Sequence, residues 1–220
     1  MLRIINWNIK RLEDVTSSKV EEVIESYNPD IVILTETNTN IKLKSLNYNH
    51  HSAQLPKSFD GIPYKDGEIR TAIYSKYPII KRLELNDNYT NCAVFVSTPL
   101  GNIVVYATII GIFGNKGGRF AIDFQNMFKD IESLSANNPM IVAGDFNQSF
   151  SDNYYFTHDG RRLISDMLDK MPLCNVTSGL PQNIDHILIS NEIAHSIDIS
   201  TKIFNANKIY SDHIGIVVDI

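Results

Sequence analysis

The stretch Met140-Ile141-Val142-Ala143-Gly144-Asp145-Phe146-Asn147 leads from a short apolar run into two polar side chains. An apolar run of this length is typical of a buried strand, and the polar end of such a strand lies at the mouth of an α/β sheet. On an extended backbone Asp145 and Asn147 point to the same side while Phe146 turns inward. Two oxygen-bearing side chains on one side can hold and deprotonate a water molecule. An Asx turn that closes the strand is the structural alternative, and it explains Asp145 but not Asn147.

The same arrangement of an apolar run and a polar end occurs twice nearer the amino terminus. The run Ile31-Val32-Ile33-Leu34 precedes Glu36, and the first predicted strand ends at Trp7-Asn8. Taken alone, Glu36 is explained as a solvated loop acid and Asn8 as a satisfied strand end. Converging with Asp145, they form an oxygen-rich pocket that suits a hard cation, Mg²⁺ or Mn²⁺. We therefore predict that Glu36 and Asn8 bind this metal cofactor.

A carboxylate and a histidine near the carboxyl terminus add a second kind of chemistry. Asp185 is the second residue of the largely apolar run Ile184 to Ile189, and His213 precedes the apolar run Ile214 to Val218. A carboxylate partner fixes the tautomer of a histidine and favours its protonated form, which stabilises negative charge on a phosphoryl oxygen. His186 alternates to the opposite side of its strand and is left out of the predicted site. A structural histidine is the alternative for His213 alone.

Length and composition predict an ordinary globular protein. The 220 residues are 43% hydrophobic and 20% charged, which favours a single domain over residues 1–220. No apolar run approaches the ~18 residues of a membrane span, and no secretory signal opens the sequence, so we expect a cytoplasmic monomer. The isolated Cys92 and Cys174 fit buried free thiols. A net charge of −5 disfavours binding to long duplex nucleic acid.

The order of predicted elements favours an α/β fold in which two mixed sheets pack face to face with helices outside. An irregular stretch is expected over 37–68. Helices are predicted at 16–27, 119–135 and 160–170. Strands are predicted at 2–9, 31–36, 69–75, 79–85, 91–98, 102–109, 140–144, 184–189, 195–204 and 214–219.

Five polar segments, taken in order, resemble the endonuclease/exonuclease/phosphatase superfamily, which has a deoxyribonuclease I-like fold. They are Trp7-Asn8, Glu36-Thr37, Gly144 to Asn147, Ile184 to Ser190 and Ser211 to His213. The segment from Ile69 to Ile79 also resembles a strand and turn of that family. The resemblance spans nearly the whole chain, and it implies a four-layered α/β sandwich with phosphoesterase activity.

The resemblance also implies roles for individual residues. It implies that Asn8 and Glu36 bind the metal and that Asp212 supports the metal site. It implies that four residues position the attacking water and substrate or contact the scissile phosphate: Asp145, Asn147, Asp185 and His213.

The sequence departs from the family after the strand at 102–109. Many members carry a histidine or tyrosine there that donates to the phosphate, whereas this chain has Thr108-Ile109-Ile110. Thr108 and Tyr106 are the two candidates for a substitute donor. Loss of one such donor costs roughly 10²–10³ in rate.

Substrate choice depends on loops. Lys116 and Arg119, in the glycine-rich segment 111–120, are candidate phosphate ligands, with Phe113 available for base stacking. Arg161, beside Arg162, is a further candidate. A flexible connection and a solvated helix start are the alternatives for these two segments.

Three functions are compatible with these residues. The first is a metal-dependent nuclease that cleaves DNA or RNA by attack of an activated water on phosphorus. The second is a phosphatase or phosphodiesterase acting on a small phosphorylated molecule or a lipid head group, which the acidic net charge favours. The third is a binding module that has lost turnover, supported only by the missing donor near Thr108.

Overall fold

Two six-stranded sheets form the centre of the computed structural model, which describes residues 1–220. The first sheet consists, in spatial order, of β13 (Ser200–Phe204), β14 (Gly215–Asp219), β1 (Arg3–Asn8), β2 (Ile31–Asn38), β6 (Glu68–Ser75) and β3 (Tyr48–His51). The second consists of β11 (Leu173–Asn175), β12 (Asp185–Ser190), β10 (Met140–Asp145), β9 (Gly101–Ile109), β8 (Cys92–Thr98) and β7 (Ile79–Leu83). A separate small hairpin contains β4 (Ser58–Phe59) and β5 (Ile62–Pro63).

Each sheet has one parallel pair at its centre and antiparallel pairs around it. The parallel pairs are β1 with β2 and β9 with β10. Asn8 ends β1, Asp145 ends β10, and Glu36 lies near the end of β2. The buried amide of Asn6 links the two sheets by donating to the carbonyl oxygen of Gly144 at 3.1 Å. The carboxyl ends of the central strands therefore open at one shared mouth.

The helices cover the outer faces of the two sheets. Helix α1 (Ser17–Glu25), capped by the Thr16 hydroxyl, packs Val20 and Ile24 on the first sheet. Helices α2 (Gly117–Ser135) and α3 (His158–Lys170) cover the second sheet, and α4 (Asn191–Ala194) is one short turn. Twenty buried apolar residues fill the space between the sheets. The predicted sandwich with helices outside is thereby confirmed.

Two of the predicted elements need correction, and one strand was missed. The strand predicted at 195–204 covers only Ser200–Phe204, because the chain first forms α4 and a turn in which the His195 amide donates to Asn191. The stretch expected to be irregular, 37–68, contains β3 and the β4–β5 hairpin, and β2 continues to Asn38. The short edge strand β11 was not predicted. It pairs with β12, which its three residues alone do not signal.

None of the helices is both long enough and apolar enough to cross a membrane.

Candidate active site

The side chain of Asn8 joins two carboxylates that come from different sheets. Its Nδ2 donates to Glu36 Oε1 at 3.0 Å and to Asp145 Oδ2 at 3.1 Å. Its Oδ1 accepts a hydrogen bond from the Lys10 amide at 2.9 Å, which fixes the orientation of the side-chain amide. Asn8 thus lies where the sequence predicts it, but its nitrogen, and not its oxygen, faces the carboxylates.

Glu36 has an unusual backbone conformation for a strand residue. Its φ is +47°, and β2 pairs with β6 through Thr35 and Thr37 but not through Glu36 itself. A left-handed conformation costs about 1–3 kcal/mol for a residue other than glycine, and such strain is concentrated at functional sites. Because of this irregularity, the Glu36 side chain points away from the direction that regular strand pairing would give it. The side chain lines a cavity.

Asp145 is buried at the end of β10, and its surroundings disfavour its charged form. Burial, together with the negative charge of Asp185, raises the pKa of Asp145 well above its usual value. Gly144 precedes it with φ of +152°, and a Cβ at that position would overlap the carbonyl oxygen of Thr108. A glycine is therefore required where β10 approaches β9 this closely.

Asn147 lies beside Asp145, although the backbone between them is not extended. Asn147 has a φ of +51°, and its amide donates to Asp145 Oδ1 at 2.9 Å, which forms the Asx turn considered as the alternative. Its side-chain nitrogen also donates to the carbonyl oxygen of Ile110 at 2.9 Å. Phe146 is fully buried, as predicted. The Asx turn is therefore present, and the Asn147 side-chain nitrogen bonds to backbone oxygens of the loop after β9.

Asp185 and His213 form the pair that the sequence predicts. His213 Nδ1 lies 2.6 Å from Asp185 Oδ2. Burial would lower the pKa of His213, but the charge of Asp185 and the hydrogen bond to it raise that pKa to about 10. Asn205 Nδ2 and Trp7 Nε1 donate to the backbone carbonyl of His213 at 2.7 and 3.4 Å, which holds the histidine loop in place. Asp185 therefore orients the His213 ring and favours its imidazolium form.

Two cavities are lined in part by His213, and both are also lined by Asp212. The first, the arginine cavity, has a volume of about 310 Å³. It is lined by Glu36, Lys10, Arg11, Arg70, Ile109 and Tyr64, among others. The second, the tyrosine cavity, has a volume of about 350 Å³. It is lined by Asn147, Asp185, Gln182, Tyr154, Tyr155 and Lys208, among others.

The donor set at this mouth fits a divalent cation. Carboxylate oxygens of Asp145 and Asp185 lie within 4.8 Å of each other and of a His213 ring nitrogen, and Asn8 links the Asp145 carboxylate to that of Glu36. The carboxylates are the ligands for a cation in this set, since His213 bonds to Asp185 as an imidazolium. Asp185 Oδ1 is buried and has no hydrogen-bond partner. The buried carboxylates of Asp145 and Asp185 and the partly exposed one of Glu36, against one imidazolium, leave negative charge that a cation would offset.

The structure turns both candidate substitute donors away from this mouth. The Thr108 hydroxyl is buried and donates to Asn91 Oδ1 at 2.8 Å. The Tyr106 hydroxyl, on the helix-covered face of the sheet, donates to Asp130 Oδ2 at 2.9 Å. Ile109 is the residue of β9 that lines the arginine cavity. No hydrogen-bond donor side chain therefore reaches the cavity from this strand end.

The predicted phosphate ligands outside the central cluster have other contacts. Lys116 is exposed at the start of α2 and lines neither cavity at His213. Arg119 forms ion pairs with Asp60 at 2.8 Å and Asp123 at 2.7 Å. Arg161 donates to the backbone carbonyl of Asp152 and covers the Phe156 ring at 3.8 Å. The structure therefore does not bring Lys116, Arg119 and Arg161 to the carboxylates.

Cations that sequence reasoning missed line the arginine cavity instead. Lys10 and Arg11, with Leu12, form one left-handed turn directly after β1, with φ between 48° and 57°. Arg70 is buried in β6, and its guanidinium contacts Asp60 at 3.0 Å. A signal for Arg70 existed, because a cation inside an apolar strand must be paired or must serve a ligand. The left-handed turn had no comparable signal.

His186 is buried away from the site, as predicted, with Nε2 at 2.9 Å from the Gln148 carbonyl oxygen. Burial lowers its pKa to about 4, below the ordinary value of about 6.5 that it regains on unfolding. As the pH falls below about 6.5 the unfolded chain binds a proton that the folded chain does not. We expect this group to lower the free energy of unfolding by about 2 kcal/mol between pH 7 and pH 5.

Urea unfolding at both pH values, in wild type and His186→Gln, tests this expectation. The variant should lose that part of the pH dependence, whereas His195→Gln, at an exposed position, should keep it. An identical pH dependence in wild type and His186→Gln would show that His186 does not carry the effect.

Comparison with known proteins agrees with this geometry. A family model described as the Endonuclease/Exonuclease/phosphatase family matches residues 5–213. The chain therefore belongs to this family, whose members are generally hydrolytic phosphoesterases. Comparison with curated protein sequences finds no significant match.

Solved structures share the fold at low sequence identity. The endonuclease domain of TRAS1, a telomere-specific non-LTR retrotransposon, has a TM-score of 0.74 and 14% identity, covering 100% of this chain and 98% of that one. An AP endonuclease from Archaeoglobus fulgidus has a TM-score of 0.73 and 16% identity, with coverage of 100% and 99%. A 3' phosphatase from Neisseria bound to product DNA hairpin has a TM-score of 0.72 and 14% identity, also with coverage of 100% and 99%.

Proposed function

We propose that this protein is a divalent-metal-dependent phosphodiester hydrolase, and specifically a nuclease that acts on DNA or RNA. The observation that carries the proposal is the Asp185–His213 pair at 2.6 Å beside the buried Asp145. A carboxylate whose raised pKa makes it a stronger base and an oriented imidazolium are a proton acceptor and an anion-stabilising group placed together. Attack of water on a phosphodiester needs both.

Glu36, Asn8 and Asp212 are the residues we propose for the metal site, with Mg²⁺ or Mn²⁺ as the ion. Glu36 supplies a carboxylate ligand, and Asn8 sets its position through the 3.0 Å hydrogen bond. Asp212 lines both cavities at the rim of the site. When bound, the ion supplies Lewis-acid stabilisation of charge on the phosphoryl oxygens.

The side chains around the scissile phosphate position the attacking water, accept its proton and stabilise the charge on the phosphoryl oxygen. Asp145, in its ionised form, accepts a proton from the attacking water as the new P–O bond forms, because burial beside Asp185 raises its pKa and makes this carboxylate a stronger base. The P–O bond to the leaving oxygen breaks in the same step, and that oxygen takes up a proton from solvent. Asn147 holds that water together with Asp145. His213 Nε2 donates to a phosphoryl oxygen as charge develops there, and Asp185 keeps the ring in that orientation through Nδ1.

A nucleic acid strand suits the shape of the site better than a compact phosphoester. The two cavities share His213 and Asp212 in their linings, so a chain could extend from the scissile phosphate into both. Lys10, Arg11 and Arg70 line one cavity, and Lys208 lines the other. The neighbours described as an endonuclease domain and an AP endonuclease support the same substrate class.

A phosphatase of a small phosphorylated molecule is the second candidate. It is favoured by the net charge of −5 and by the similarity to a 3' phosphatase from Neisseria. Bis(p-nitrophenyl) phosphate and p-nitrophenyl phosphate separate the two, since only the first is a diester. The nuclease proposal expects faster release of nitrophenol from the diester, and preference for the monoester would favour the phosphatase.

The variant Glu36→Gln tests the metal site. Loss of the ligand charge should raise the Mg²⁺ concentration for half-maximal activity by about tenfold or more, because a neutral amide is a weaker ligand for a hard cation. The measurement is an activity titration with Mg²⁺ for wild type and the variant, with Glu192→Gln on α4 as a control remote from the site. An unchanged Mg²⁺ titration would remove Glu36 from the metal site.

A further inference from the structure

The tyrosine cavity has an outer part that the proposed chemistry does not use. The cavity begins at Asp185 and His213 and extends to Tyr154 and Tyr155. These two side chains are 48% and 37% exposed. Neighbouring aromatic side chains left in water beside a catalytic cleft are typical of a ligand-binding surface.

Hydrogen bonds hold the backbone of the loop that carries Tyr154 and Tyr155, here called the tyrosine loop, in place without a ligand. The Asp152 carboxylate accepts from the Tyr154 amide at 3.1 Å and from the Gln182 amide at 2.7 Å. The Ser149 amide donates to the Tyr155 carbonyl oxygen at 2.7 Å. The tyrosine loop is thus tied to the segment that enters β12 and carries Asp185. A surface fixed in this way loses little entropy when it binds.

Arg161 strengthens the same loop. Its guanidinium donates to the Asp152 carbonyl oxygen, and it also covers the Phe156 ring. This cation, predicted from the sequence as a phosphate ligand, thus contacts the loop that carries the two tyrosines.

Lys208 places a positive charge at the rim of the cavity. Its Nζ lies 2.8 Å from the Tyr154 hydroxyl and 4.8 Å from the centre of the Tyr154 ring. The turn that contains Lys208 begins at Asn205, whose side chain donates to the His213 carbonyl oxygen. The lysine is therefore held at a defined place relative to the catalytic histidine.

We infer that this surface is a nucleotide subsite, in which a base next to the scissile phosphate stacks on Tyr154 and Tyr155 while Lys208 meets the adjoining phosphate. Aromatic side chains beside a cation are how proteins hold unpaired nucleotides. A base inside a duplex is already stacked and paired, so the subsite selects single-stranded or unpaired segments. This inference rests on the proposed nuclease activity only in placing the scissile phosphate at His213, next to the bound base.

The test compares two single-stranded oligomers of equal length and charge. One is an ordinary oligodeoxynucleotide, and in the other every nucleoside is replaced by an abasic tetrahydrofuran unit. Dissociation constants are measured by fluorescence anisotropy in EDTA, so that no cleavage occurs. The wild type should bind the base-bearing oligomer about tenfold or more tightly than the base-free one.

Variants test whether the two tyrosines are responsible for this ratio of dissociation constants. In the double variant Tyr154→Ala/Tyr155→Ala the ratio should fall below about threefold, because stacking contributes on the order of tenfold per base. Tyr48→Ala, a 38% exposed tyrosine on edge strand β3, should keep the wild-type ratio. Lys208→Ala should weaken both oligomers alike and reduce the slope of log Kd against log salt by about 0.7.

Equal binding of the two oligomers by the wild type would overturn the subsite, as would a wild-type ratio in the double variant. Cleavage of the same oligomers with Mg²⁺ is scored separately. Absence of cleavage with the expected binding ratio would refute the nuclease activity and support the base-stacking subsite.

Discussion

His213→Gln should lower the rate of phosphodiester hydrolysis by roughly 10³-fold. A positioned acid or base contributes about 10²–10⁴ in rate, and an imidazolium aimed at the phosphoryl oxygen also stabilises its charge. Glutamine keeps a hydrogen-bonding side chain at this site but cannot carry the positive charge. The measurement is kcat for bis(p-nitrophenyl) phosphate at saturating Mg²⁺.

The control for this variant is His195→Gln, since His195 is exposed beyond α4 and outside both cavities. It should retain wild-type kcat. Circular dichroism should show the same secondary structure for both variants, so that lost activity is not lost folding. Near-wild-type kcat in folded His213→Gln would remove the imidazolium from the mechanism.

Asp145→Asn should abolish hydrolysis, with a loss of at least about 10³-fold, because an amide cannot accept the proton of the attacking water. The same change should leave the metal-free protein as stable as wild type or more stable. In wild type a buried carboxylate is held beside Asp185, and that proximity disfavours the charged form. Activity and the free energy of unfolding in EDTA are the two measurements.

Asp159→Asn, on the exposed face of α3, is the matched control, and it should change neither quantity appreciably. A strongly destabilised Asp145→Asn would indicate that Asp145 is mainly a structural acceptor for Asn8 and Asn147. Full activity in this variant would contradict its role as the proton acceptor.

Much of the central cluster can be predicted from the sequence because strand patterns are local. An apolar run fixes where a strand ends, and a polar residue at that point faces the mouth of the sheet. Glu36 and Asp145 follow from this pattern alone. The pairing of Asp185 with His213 follows from complementary chemistry, and 2.6 Å separates the two atoms.

The contacts of the outer cations could not be predicted because they depend on how irregular loops fold. Arg119 pairs with Asp60, on the β4–β5 hairpin that the sequence pattern did not reveal. Arg161 is bound to the backbone of its own preceding loop. In both cases the local sequence shows an exposed cation, and only the tertiary structure supplies its partner.

Backbone conformation accounts for the remaining differences. The positive φ of Asn147 and the left-handed turn after Asn8 depend on strain that the surrounding structure sustains. The orientation of the Asn8 amide follows from that turn, because the Lys10 amide takes its oxygen. No periodic pattern encodes such features, so they are found only in the folded structure.

The most direct test of the proposed activity is cleavage of labelled single-stranded DNA, duplex DNA and RNA by wild type and Asp145→Asn. Each substrate is incubated with Mg²⁺, with Mn²⁺ or with EDTA. We expect metal-dependent cleavage by the wild type, none in EDTA, none by Asp145→Asn, and a preference for single strands. Cleavage that persists in EDTA or in Asp145→Asn would contradict the proposed mechanism, and no cleavage of any strand by the wild type would contradict the nuclease activity itself.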